Sequence, residues 1–560
     1  MPTITLNRSV LEKLIGKKLS LEQLKDRISM IGTDLEKIEG DEIIVEVFPN
    51  RPDMLSEHGF ARALAAFIGT KSALRMYPVE PSKQKIIIDP SVGKIRPYTA
   101  AAIVRNMKLT DPYIKEIMQL QEKLHITFGR HRKKVAIGVY PSEKIRYPIT
   151  FKALRPETIV FRPLDFPKEL NGREILELHP KGKEYGHLLE QLPLYPVFVD
   201  ATGSVLSMPP IINSHTVGKI TQETRDVFVE VSGFDLATCE QCLTIVVTTL
   251  ADMGGDVQSL VLEYPQKKCT TPVLEAKEMR LDLTYVAARS GLKLSEDEVK
   301  KLLSRMGHGY QKGVVCIPSY RADILHPIDI VEDIIIAYGY ENIEPQIPAV
   351  ATIAQEDHFE QFKRKVMHIL MGLGYGELFT YHLVDGSAQS TKMNNQSIVP
   401  HIVQIVDPVS TEYNTLRAWM LPSIMHVLSE NKHREFPQKI FDAGVCFLKE
   451  TAKGMSETGV LEVTRLAAVS CHRDADYTEA RQAIERIFDS LGLAYQFEET
   501  EHGSFIPGRV ARVRVKGRHL AYVGEVHPKV LSSFGLELPV AAFEVNLTEL
   551  FGCISETKGK

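Results

Sequence analysis

The chain has 560 residues, which is too long for a single hydrophobic core and indicates several domains. Hydrophobic residues make up 44% and charged residues 25% of the sequence, as is usual for soluble globular proteins. The net charge of −4 provides no overall field toward nucleic acid or acidic membranes, so any RNA contact must come from local basic patches. With no long apolar run, no signal-peptide pattern and seven scattered cysteines, we expect a cytoplasmic protein without membrane contact.

An internal repeat organises the chain. The segment Lys18–Gly32, KLSLEQLKDRISMIG, returns as KLSEDEVKKLLSRMG at Lys293–Gly307. Each copy predicts a serine-capped helix that ends at a glycine, a short strand, an Arg-x-Asp sequence and a second glycine-terminated helix. The matching positions are Ser20, Gly32, Arg51, Asp53 and Gly69 in the first copy and Ser295, Gly307, Arg321, Asp323 and Gly339 in the second. We therefore predict two copies of one small α/β unit on either side of a long insert.

The insert mixes predicted strands and helices. Within it, Arg130–Lys134 reads R-H-R-K-K, which favours a solvated loop, with an RNA phosphate contact as the alternative. Cys239 and Cys242 form a C-E-Q-C sequence without a second ligand pair at zinc spacing, so we expect structural cysteines on a helix.

A second part of the insert predicts a polar pocket. Pro209–Pro210 interrupts regular structure beside Ser207, Asn213 and Ser214. In the following strand, DVFVEVSG, Glu230 and Ser232 occupy alternate positions and therefore share a face. Hydroxyl, amide and carboxylate groups that converge at this turn would form a binding site, although ordinary turn chemistry explains the same residues.

The second repeat copy differs from the first in its acidic residues. Asp329, Glu332 and Asp333 lie at i, i+3 and i+4 of the predicted helix, close to Asp323. The equivalents of the three helix residues in the first copy are Gly59, Arg62 and Ala63. Four carboxylates around one helix start suit a hard cation such as Mg²⁺, but acids in a first turn also favour the helix dipole without any metal.

After Pro348 the pattern predicts an α+β domain around an antiparallel sheet. It includes a long helix from His358, a hairpin that turns at Lys516–Gly517 and a final strand, VAAFEVNL, followed by a loose polar tail. No phosphate-binding glycine loop, dinucleotide fingerprint or His-Glu-x-x-His pair occurs anywhere, and the lone histidines His326 and His527 favour structural roles.

Four ordered segments carry a resemblance to a known family: NRPDMLSEHGFARALAAFIG, SMPPIINS, RADILHPIDIVEDIIIAYGY and VDPVSTEYNTLRAWMLPSIMHVL. Together they resemble the beta chain of phenylalanine–tRNA ligases of the archaeal and eukaryotic cytosolic type, in order over roughly residues 1 to 550. The lack of the bacterial C-terminal anticodon-binding domain and of the inserted oligonucleotide-binding barrel supports that type.

The resemblance implies an α+β multidomain fold. It consists of two winged-helix-like units around an α/β editing domain, followed by a degenerate class II synthetase-like domain. The expected boundaries are 1–85, 90–265, 268–348 and 355–552, with a tail at 553–560. The last domain lacks the ATP-binding elements of the class II core: Phe441–Gly444 stands after Arg417 in place of an Arg-x-Glu pair.

The resemblance also implies partners. Aminoacylation would occur on an alpha subunit, in a tetramer of two alpha and two beta chains that binds ATP, phenylalanine and the phenylalanine tRNA. A magnesium site would use Asp323, Asp329, Glu332 and Asp333 near the contact between chains.

The insert would then remove tyrosine from mischarged tRNA, because an apolar pocket for phenylalanine rejects an added hydroxyl only weakly. We expect Glu230 or Asp235 to bind the tyrosine hydroxyl, and Ser207, Asn213 and Ser214 to hold the ester and its attacking water. Ser232, on the same strand as Glu230, belongs to the same expected site. A stand-alone editing hydrolase and an RNA-binding scaffold are the alternatives.

Overall fold

The computed structural model describes residues 2–347, 354–450 and 456–558. The chain divides into two compact units, residues 1–347 and residues 348–560. The predicted domain boundary at 348–355 falls largely outside the described residues, as do residues 559 and 560 of the predicted tail. No helix within the described ranges is long and apolar enough to cross a membrane.

The first unit begins with the first repeat copy. Its elements are β1 (Thr3–Asn7), α1 (Arg8–Ile15), α2 (Leu21–Met30), β2 (Asp34–Glu39), β3 (Glu42–Glu46) and α3 (Glu57–Phe67). The three strands form an antiparallel sheet in the order β1-β3-β2. The Ser20 hydroxyl accepts a hydrogen bond from the Gln23 backbone amide, and the Gln23 side-chain oxygen accepts one from the Ser20 amide, so the predicted helix start is confirmed.

The insert forms a large mixed sheet with helices against it. Its elements are β4 (Val79–Ile88), β5 (Tyr98–Arg105), α4 (Asp111–Ile126), β6 (Val135–Pro141), β7 (Ile149–Leu154), β8 (Val160–Phe161), β9 (Leu170–Asn171), α5 (Gly172–Leu178), α6 (Pro180–Tyr185), β10 (Tyr195–Val199), β11 (Val205–Met208), β12 (Ile212–Asn213), α7 (His215–Gly218), β13 (Val227–Gly233), α8 (Leu236–Asp252), β14 (Asp256–Glu263) and β15 (Lys268–Thr271).

This sheet has the strand order β12-β11-β10-β7-β4-β14-β5-β13-β6, and β15 pairs with β14. It is wider than the predicted range 90–265, because β4 starts at Val79 and β15 ends at Thr271. The sequence patterns at these two strands are polar and irregular, which hid them from a reading based on hydrophobic alternation. Cys239 and Cys242 are buried on α8, as predicted.

The second repeat copy closes the first unit. Its elements are β16 (Lys277–Arg280), α9 (Leu283–Ser290), α10 (Glu296–Arg305), β17 (Gly309–Gln311), β18 (Val314–Ile317) and α11 (Pro327–Tyr338). They follow the same chain order as the first copy, and the sheet order β16-β18-β17 repeats β1-β3-β2. Ser295 caps α10 as Ser20 caps α2, and Gly307 and Gly339 have positive φ like Gly32 and Gly69. The predicted duplication is therefore present in the fold.

The second unit is built around one sheet. Its elements are α12 (His358–Gly372), β19 (Gly376–Glu377), β20 (Leu383–Val384), α13 (Gly386–Gln389), β21 (Thr415–Leu416), α14 (Leu421–Glu430), β22 (Gln438–Lys449), β23 (Val460–Cys471), α15 (Tyr477–Ser490), β24 (Tyr495–Glu499), β25 (Phe505–Val515), β26 (Arg518–Val526), α16 (Pro528–Ser533), β27 (Val540–Asn546) and α17 (Leu547–Lys558). The sheet order is β19-β22-β23-β27-β26-β25-β24, and all its pairings are antiparallel except β19 with β22.

Two predictions at the end of the chain have different outcomes. The hairpin of β25 and β26 turns at Lys516–Gly517, where both residues have positive φ, as predicted. The loose tail from residue 553 is wrong for its first part, because α17 continues to Lys558. This helix buries Leu547, Leu550 and Cys553, three residues apart on one face, and that packing holds it against the sheet.

Candidate functional site

A large cavity of the first unit lies in the insert. It has a volume of about 680 Å³ and is enclosed by α4, β6, the start of α6, the Pro209–Pro210 turn and β13. Three of the predicted pocket residues line it, namely Ser207, Asn213 and Glu230. Strand pairing explains this convergence, because β11 and β12 place Ser207 opposite Asn213.

Glu230 is the most unusual group in this cavity. It is only 2% exposed, although it is ionisable and has no cationic hydrogen-bond partner among the described residues. The Tyr140 hydroxyl donates to Glu230 Oε1 over 2.9 Å, while Oε2 accepts no hydrogen bond from the described residues. Burial raises the pKa of Glu230 to about 8, against the lowering effects of Tyr140 and of the Arg96 charge. At neutral pH the side chain is therefore largely protonated.

A glycine makes the room for this arrangement. Gly138 on β6 lies opposite Glu230 on β13, and a Cβ at this position would stand 2.1 Å from Tyr140 Oη and 2.4 Å from Glu230 Oε1. Any larger residue would therefore displace the Tyr140–Glu230 hydrogen bond. The Tyr140 hydroxyl also lies 3.4 Å from Asn213 Oδ1, so the tyrosine connects two of the predicted residues.

The other predicted residues serve the framework. Ser214 is buried and caps α7 by accepting a hydrogen bond from the Thr216 amide. Ser232 shares a strand face with Glu230 but accepts a hydrogen bond from Arg96. Asp235 is exposed and caps α8, where it accepts hydrogen bonds from the Thr238 amide and hydroxyl. These three do not line the cavity.

Sequence reasoning missed several residues of the cavity. His125 on α4 lines it and is buried, and its Nε2 accepts a hydrogen bond from the Ile137 amide. Burial lowers the pKa of His125 to about 4, so the ring is neutral near pH 7. Neither His125 nor Tyr140 stands in a motif, and only the pairing of β6 with β13 brings Tyr140 to Glu230. No signal in the sequence alone could have found them.

The basic run Arg130–Lys134 is a solvated loop at four of its five residues, as expected, and differs at Arg132. Arg130, His131, Lys133 and Lys134 are exposed, but Arg132 is buried in the cavity wall. Its Nη1 donates to the carbonyl oxygens of Pro210 and Ile211 over 3.1 and 2.9 Å. Arg132 therefore fixes the Pro209–Pro210 turn, which forms one wall of the cavity.

The second candidate site is the acidic group of the second repeat copy. Asp329 Oδ2 accepts hydrogen bonds from the backbone amides of Leu325 and His326 and so caps α11, while Glu332 is exposed on the same helix. The capping carboxylate of Asp329 and the exposed carboxylate of Glu332 are compatible with a hydrated Mg²⁺. This ion commonly keeps several waters beside one or two carboxylates.

Asp323 and Asp333 are held by an arginine instead. Arg321 forms a two-point ion pair with Asp323, with distances of 2.8 and 2.7 Å, and its Nη2 lies 2.8 Å from Asp333 Oδ2. Burial alone would raise the pKa of Asp333, but Arg321 and His308 outweigh burial and lower it to about 2. Within the described ranges, no three of the four predicted ligands bring oxygens within 4.8 Å of one another. The four-carboxylate magnesium site stays a prediction.

In the second unit, two buried charged groups, Arg417 after β21 and Glu544 on β27, are bound internally. Arg417 is buried and donates to the Val445 carbonyl and the Thr380 hydroxyl over 2.7 and 2.8 Å. Glu544 on β27 accepts hydrogen bonds from the backbone amides of Met420 and Leu421 at the start of α14. A protein carboxylate thus occupies the helix N-terminus, where an anionic ligand would otherwise be favoured.

Comparisons with known proteins agree with this architecture. The family model of the phenylalanyl-tRNA synthetase beta chain CLM domain matches residues 343–547, and that of the tRNA synthetase B5 domain matches residues 279–340. Both describe domains of aminoacyl-tRNA synthetases.

Relatives match nearly the whole chain. The phenylalanine–tRNA ligase beta subunit of Thermococcus onnurineus is 39% identical over 571 residues, covering 98% of this chain and 99% of the relative. That of Pyrococcus abyssi is 39% identical over 562 residues, covering 98% and 100%. The chain therefore belongs to the family of phenylalanine–tRNA ligase beta subunits.

A solved structure supports the fold of the first unit. An N-terminal fragment of the phenylalanyl-tRNA synthetase beta subunit from Pyrococcus horikoshii is 38% identical, with a TM-score of 0.58. The match covers 60% of this chain and 99% of the fragment.

Proposed function

We propose that this chain is the non-aminoacylating subunit of a phenylalanine–tRNA ligase and that its insert hydrolyses tyrosine from mischarged tRNA. The family supports the ligase assignment. The observation that carries the editing assignment is Glu230, a buried carboxyl group with one oxygen that no described residue satisfies.

The selectivity follows from the cost of an unsatisfied polar group. A tyrosine ring in the cavity would bring its hydroxyl to Glu230 Oε2 and complete the hydrogen bonding of that side chain. Phenylalanine would leave the group unpaired, at a cost of about 1–3 kcal/mol or more. Sites built to bind a hydroxyl reject the analogue that lacks it far more strongly than apolar pockets reject an added hydroxyl. Phenylalanyl-tRNA would therefore escape hydrolysis.

The remaining polar groups suit the ester. Ser207 and Asn213 face the same cavity and would bind the ester carbonyl or the attacking water. Lys181 and Lys219 also line the cavity and are partly exposed, with side chains 36% and 51% accessible, which suits phosphates of the tRNA end.

The test uses the complex assembled with its alpha subunit. Glu230→Ala should lose the hydrolysis of tyrosyl-tRNA and retain the charging of phenylalanine. Asp235→Asn provides the matched control, because Asp235 is exposed and lies outside the cavity. Equal hydrolysis by the Glu230→Ala variant and the wild type would remove Glu230 from the proposal.

An alpha partner is supported by the surface of the second unit. Phe379, Tyr381 and Val406 are 91%, 84% and 87% exposed. The segments that carry them are adjacent, because β20 pairs with β21 and Gln404 pairs with Thr415. Exposed apolar groups of this size are typical of protein interfaces.

We assign aminoacylation, with ATP and phenylalanine, to the alpha subunit of a complex of two alpha and two beta chains in the cytoplasm. The internal use of Arg417 and Glu544 supports this division. Co-purification distinguishes the proposal from a stand-alone editing hydrolase and from an RNA-binding scaffold. The ligase requires a stoichiometric second chain and no ATP–pyrophosphate exchange by this chain alone.

We also propose that Asp329 and Glu332 contribute to a structural Mg²⁺ site, with Asp323 and Asp333 completing the acidic group. Metal analysis of the dialysed complex provides a readout independent of activity. The Asp329→Asn/Glu332→Gln double variant should contain less Mg²⁺, whereas Glu296→Gln/Asp297→Asn, which removes two exposed acids from the first turn of α10 in the same repeat copy, should not. Equal Mg²⁺ content in the two variants would refute the assignment.

A further inference from the structure

A second cavity lies where the three parts of the first unit meet. It has a volume of about 130 Å³ and is lined by α3 of the first repeat copy, by Asp252 at the end of α8 and by Tyr320 of the second copy. Alanines on α3, among them Ala61, Ala65 and Ala66, leave this space open. We call it the junction cavity.

The lining of the junction cavity is strongly basic. Arg62, Lys71 and Arg75 face one carboxylate among the described lining residues, Asp252. Arg51 also lines the cavity, but it is neutralised by its ion pair with Asp53. Three cations against one carboxylate leave an excess of two positive charges.

Arg62 lacks partners for part of its guanidinium. Its Nη1 donates to Asp252 Oδ2 and to the Tyr77 hydroxyl over 2.6 and 3.1 Å, and the guanidinium carbon lies 3.8 Å from the centre of the Tyr320 ring. The residue is 9% exposed, yet Nε and Nη2 are buried and donate to no described residue. Buried donors without acceptors are rare in folded proteins and indicate a missing ligand or water.

Arg75 and Lys71, which line the same cavity and are more exposed, also have donors left for a ligand. Arg75 contacts Asp252 Oδ1 over 3.0 Å, and its side chain is 47% exposed. Lys71 is exposed, and its Nζ donates to the carbonyl oxygen of Leu14 over 2.8 Å. Neither contact uses all the donors of the side chain.

The duplication shows that Arg62 is not required by the repeated fold. The equivalent residue of the second copy is Glu332, at the same distance after Arg-x-Asp. The same scaffold thus carries an acid in one copy and a buried arginine in the other. The arginine therefore requires an explanation other than the architecture that the copies share.

We propose that the junction cavity is an anion site that binds one phosphate group. Arg62 is the central donor, because its Nε and Nη2 have no acceptor among the described residues, and Arg75 and Lys71 contribute positive charge at the exposed side of the cavity. The volume admits one phosphate group but no nucleoside with it. The phosphate is either a free ion, such as inorganic phosphate, or part of an RNA backbone. This inference is independent of the editing proposal.

The first test measures binding of inorganic phosphate to the full chain in its complex, by equilibrium dialysis, and locates tungstate in crystals by anomalous scattering. The wild type should bind one phosphate at this cavity, and tungstate should lie within hydrogen-bond distance of Arg62. Arg62→Gln should abolish binding. Because that change also disturbs buried contacts, Arg75→Gln is the second variant and should weaken binding about tenfold.

Arg173→Gln is the matched control, because Arg173 is a solvated arginine, 57% exposed, that forms an ion pair with Glu157 and lies outside the lining of the junction cavity. Its affinity for phosphate should equal that of the wild type. Equal affinity of Arg75→Gln and the wild type, or tungstate only at other places, would overturn the proposal.

The second test distinguishes the two sources of phosphate. If Arg75→Gln lowers tRNA affinity, and if the slope of log affinity against log salt concentration shows about one fewer counterion released on binding, the ligand is an RNA phosphate. If tRNA affinity is unchanged while phosphate binding falls, the ligand is a free phosphate ion. Unchanged binding in both assays refutes the site. Tyrosyl-tRNA hydrolysis, measured in the same samples, reports separately on the editing proposal.

Discussion

Replacing Glu230 by glutamine should stabilise the insert relative to the wild type as the pH rises. The pKa of Glu230 is about 8 in the folded chain, compared with an ordinary value of 4.5. Between these pH values the native state holds a proton that the unfolded state releases, so wild-type stability falls as the pH increases. Below pH 4.5 both states are protonated and above pH 8 neither is, so the effect is confined to this window.

The magnitude follows from the size of the shift. A difference of 3.5 pKa units corresponds to roughly 5 kcal/mol at about 1.4 kcal/mol per unit. Glu230 is 2% exposed, so solvent screening does not reduce this value appreciably. Glutamine has a similar shape and does not titrate. Between pH 5.5 and 8, the stability difference between variant and wild type should therefore change by roughly 3 kcal/mol in favour of the variant.

Hydrogen exchange of β13 is the suitable assay, because unfolding of a multidomain chain is not a two-state process. Wild type and variant are compared at the same pH, which cancels the intrinsic pH dependence of exchange. Peptides of β23, in the other unit, serve as the internal control and should exchange equally in both proteins. A stability difference in β13 that is constant from pH 5.5 to 8 would show that Glu230 titrates at an ordinary pKa. Glu230 would then be charged in the cavity, contrary to our reasoning.

Three further predictions concern neighbouring groups. Gly138→Ala should abolish tyrosyl-tRNA hydrolysis and leave phenylalanine charging intact, because the alanine Cβ would stand 2.1 Å from Tyr140 Oη. Hydrolysis at the wild-type rate would contradict this prediction. Arg321→Met should destabilise the second repeat copy by about 3–5 kcal/mol, since it leaves the side chains of Asp323 and Asp333 without the arginine that pairs with both. Hydrogen exchange of α11 measures this loss, and unchanged protection of α11 would refute the prediction. His125 has a pKa of about 4, below its ordinary 6.5, so the contribution of His125 to the stability of the insert should be constant above pH 6.5 and fall as the pH decreases toward 4, opposite in sign to that of Glu230. An NMR titration that gave His125 a pKa near 6.5 would disagree.

The fold was predictable where the sequence carries local signals. The capping serines Ser20 and Ser295 and the terminal glycines set the limits of helices in both repeat copies, and Lys516–Gly517 marked a hairpin. These features depend on backbone geometry within a few residues. The width of the large sheet was not predictable, because β4 and β15 depend on pairing with β14 rather than on their own alternation of polar and apolar residues.

The candidate site was predictable only in part, for the same reason. Ser207, Asn213 and Glu230 stand in polar segments that sequence reasoning can recognise. Tyr140 reaches Glu230 through the pairing of β6 with β13, and that long-range contact left no pattern in the sequence. Asp235 looked equivalent to Glu230 as an acid near the same strand, but its position before α8 makes it a helix cap.

The duplication links the two remaining candidate sites. In both copies the Arg-x-Asp pair is buried and intact, so it is part of the scaffold, whereas the face of the following helix varies. Gly59 in α3 allows close packing, since a Cβ there would lie 2.1 Å from the Asp53 carbonyl oxygen. Asp329 takes its place in α11 and binds backbone amides instead. Three residues later, the buried Arg62 corresponds to the exposed Glu332. The shared scaffold accounts for neither charge: Arg62 pairs with Asp252 of the insert and, as we propose, with an anion, whereas Glu332 would bind a cation in the proposed Mg²⁺ site.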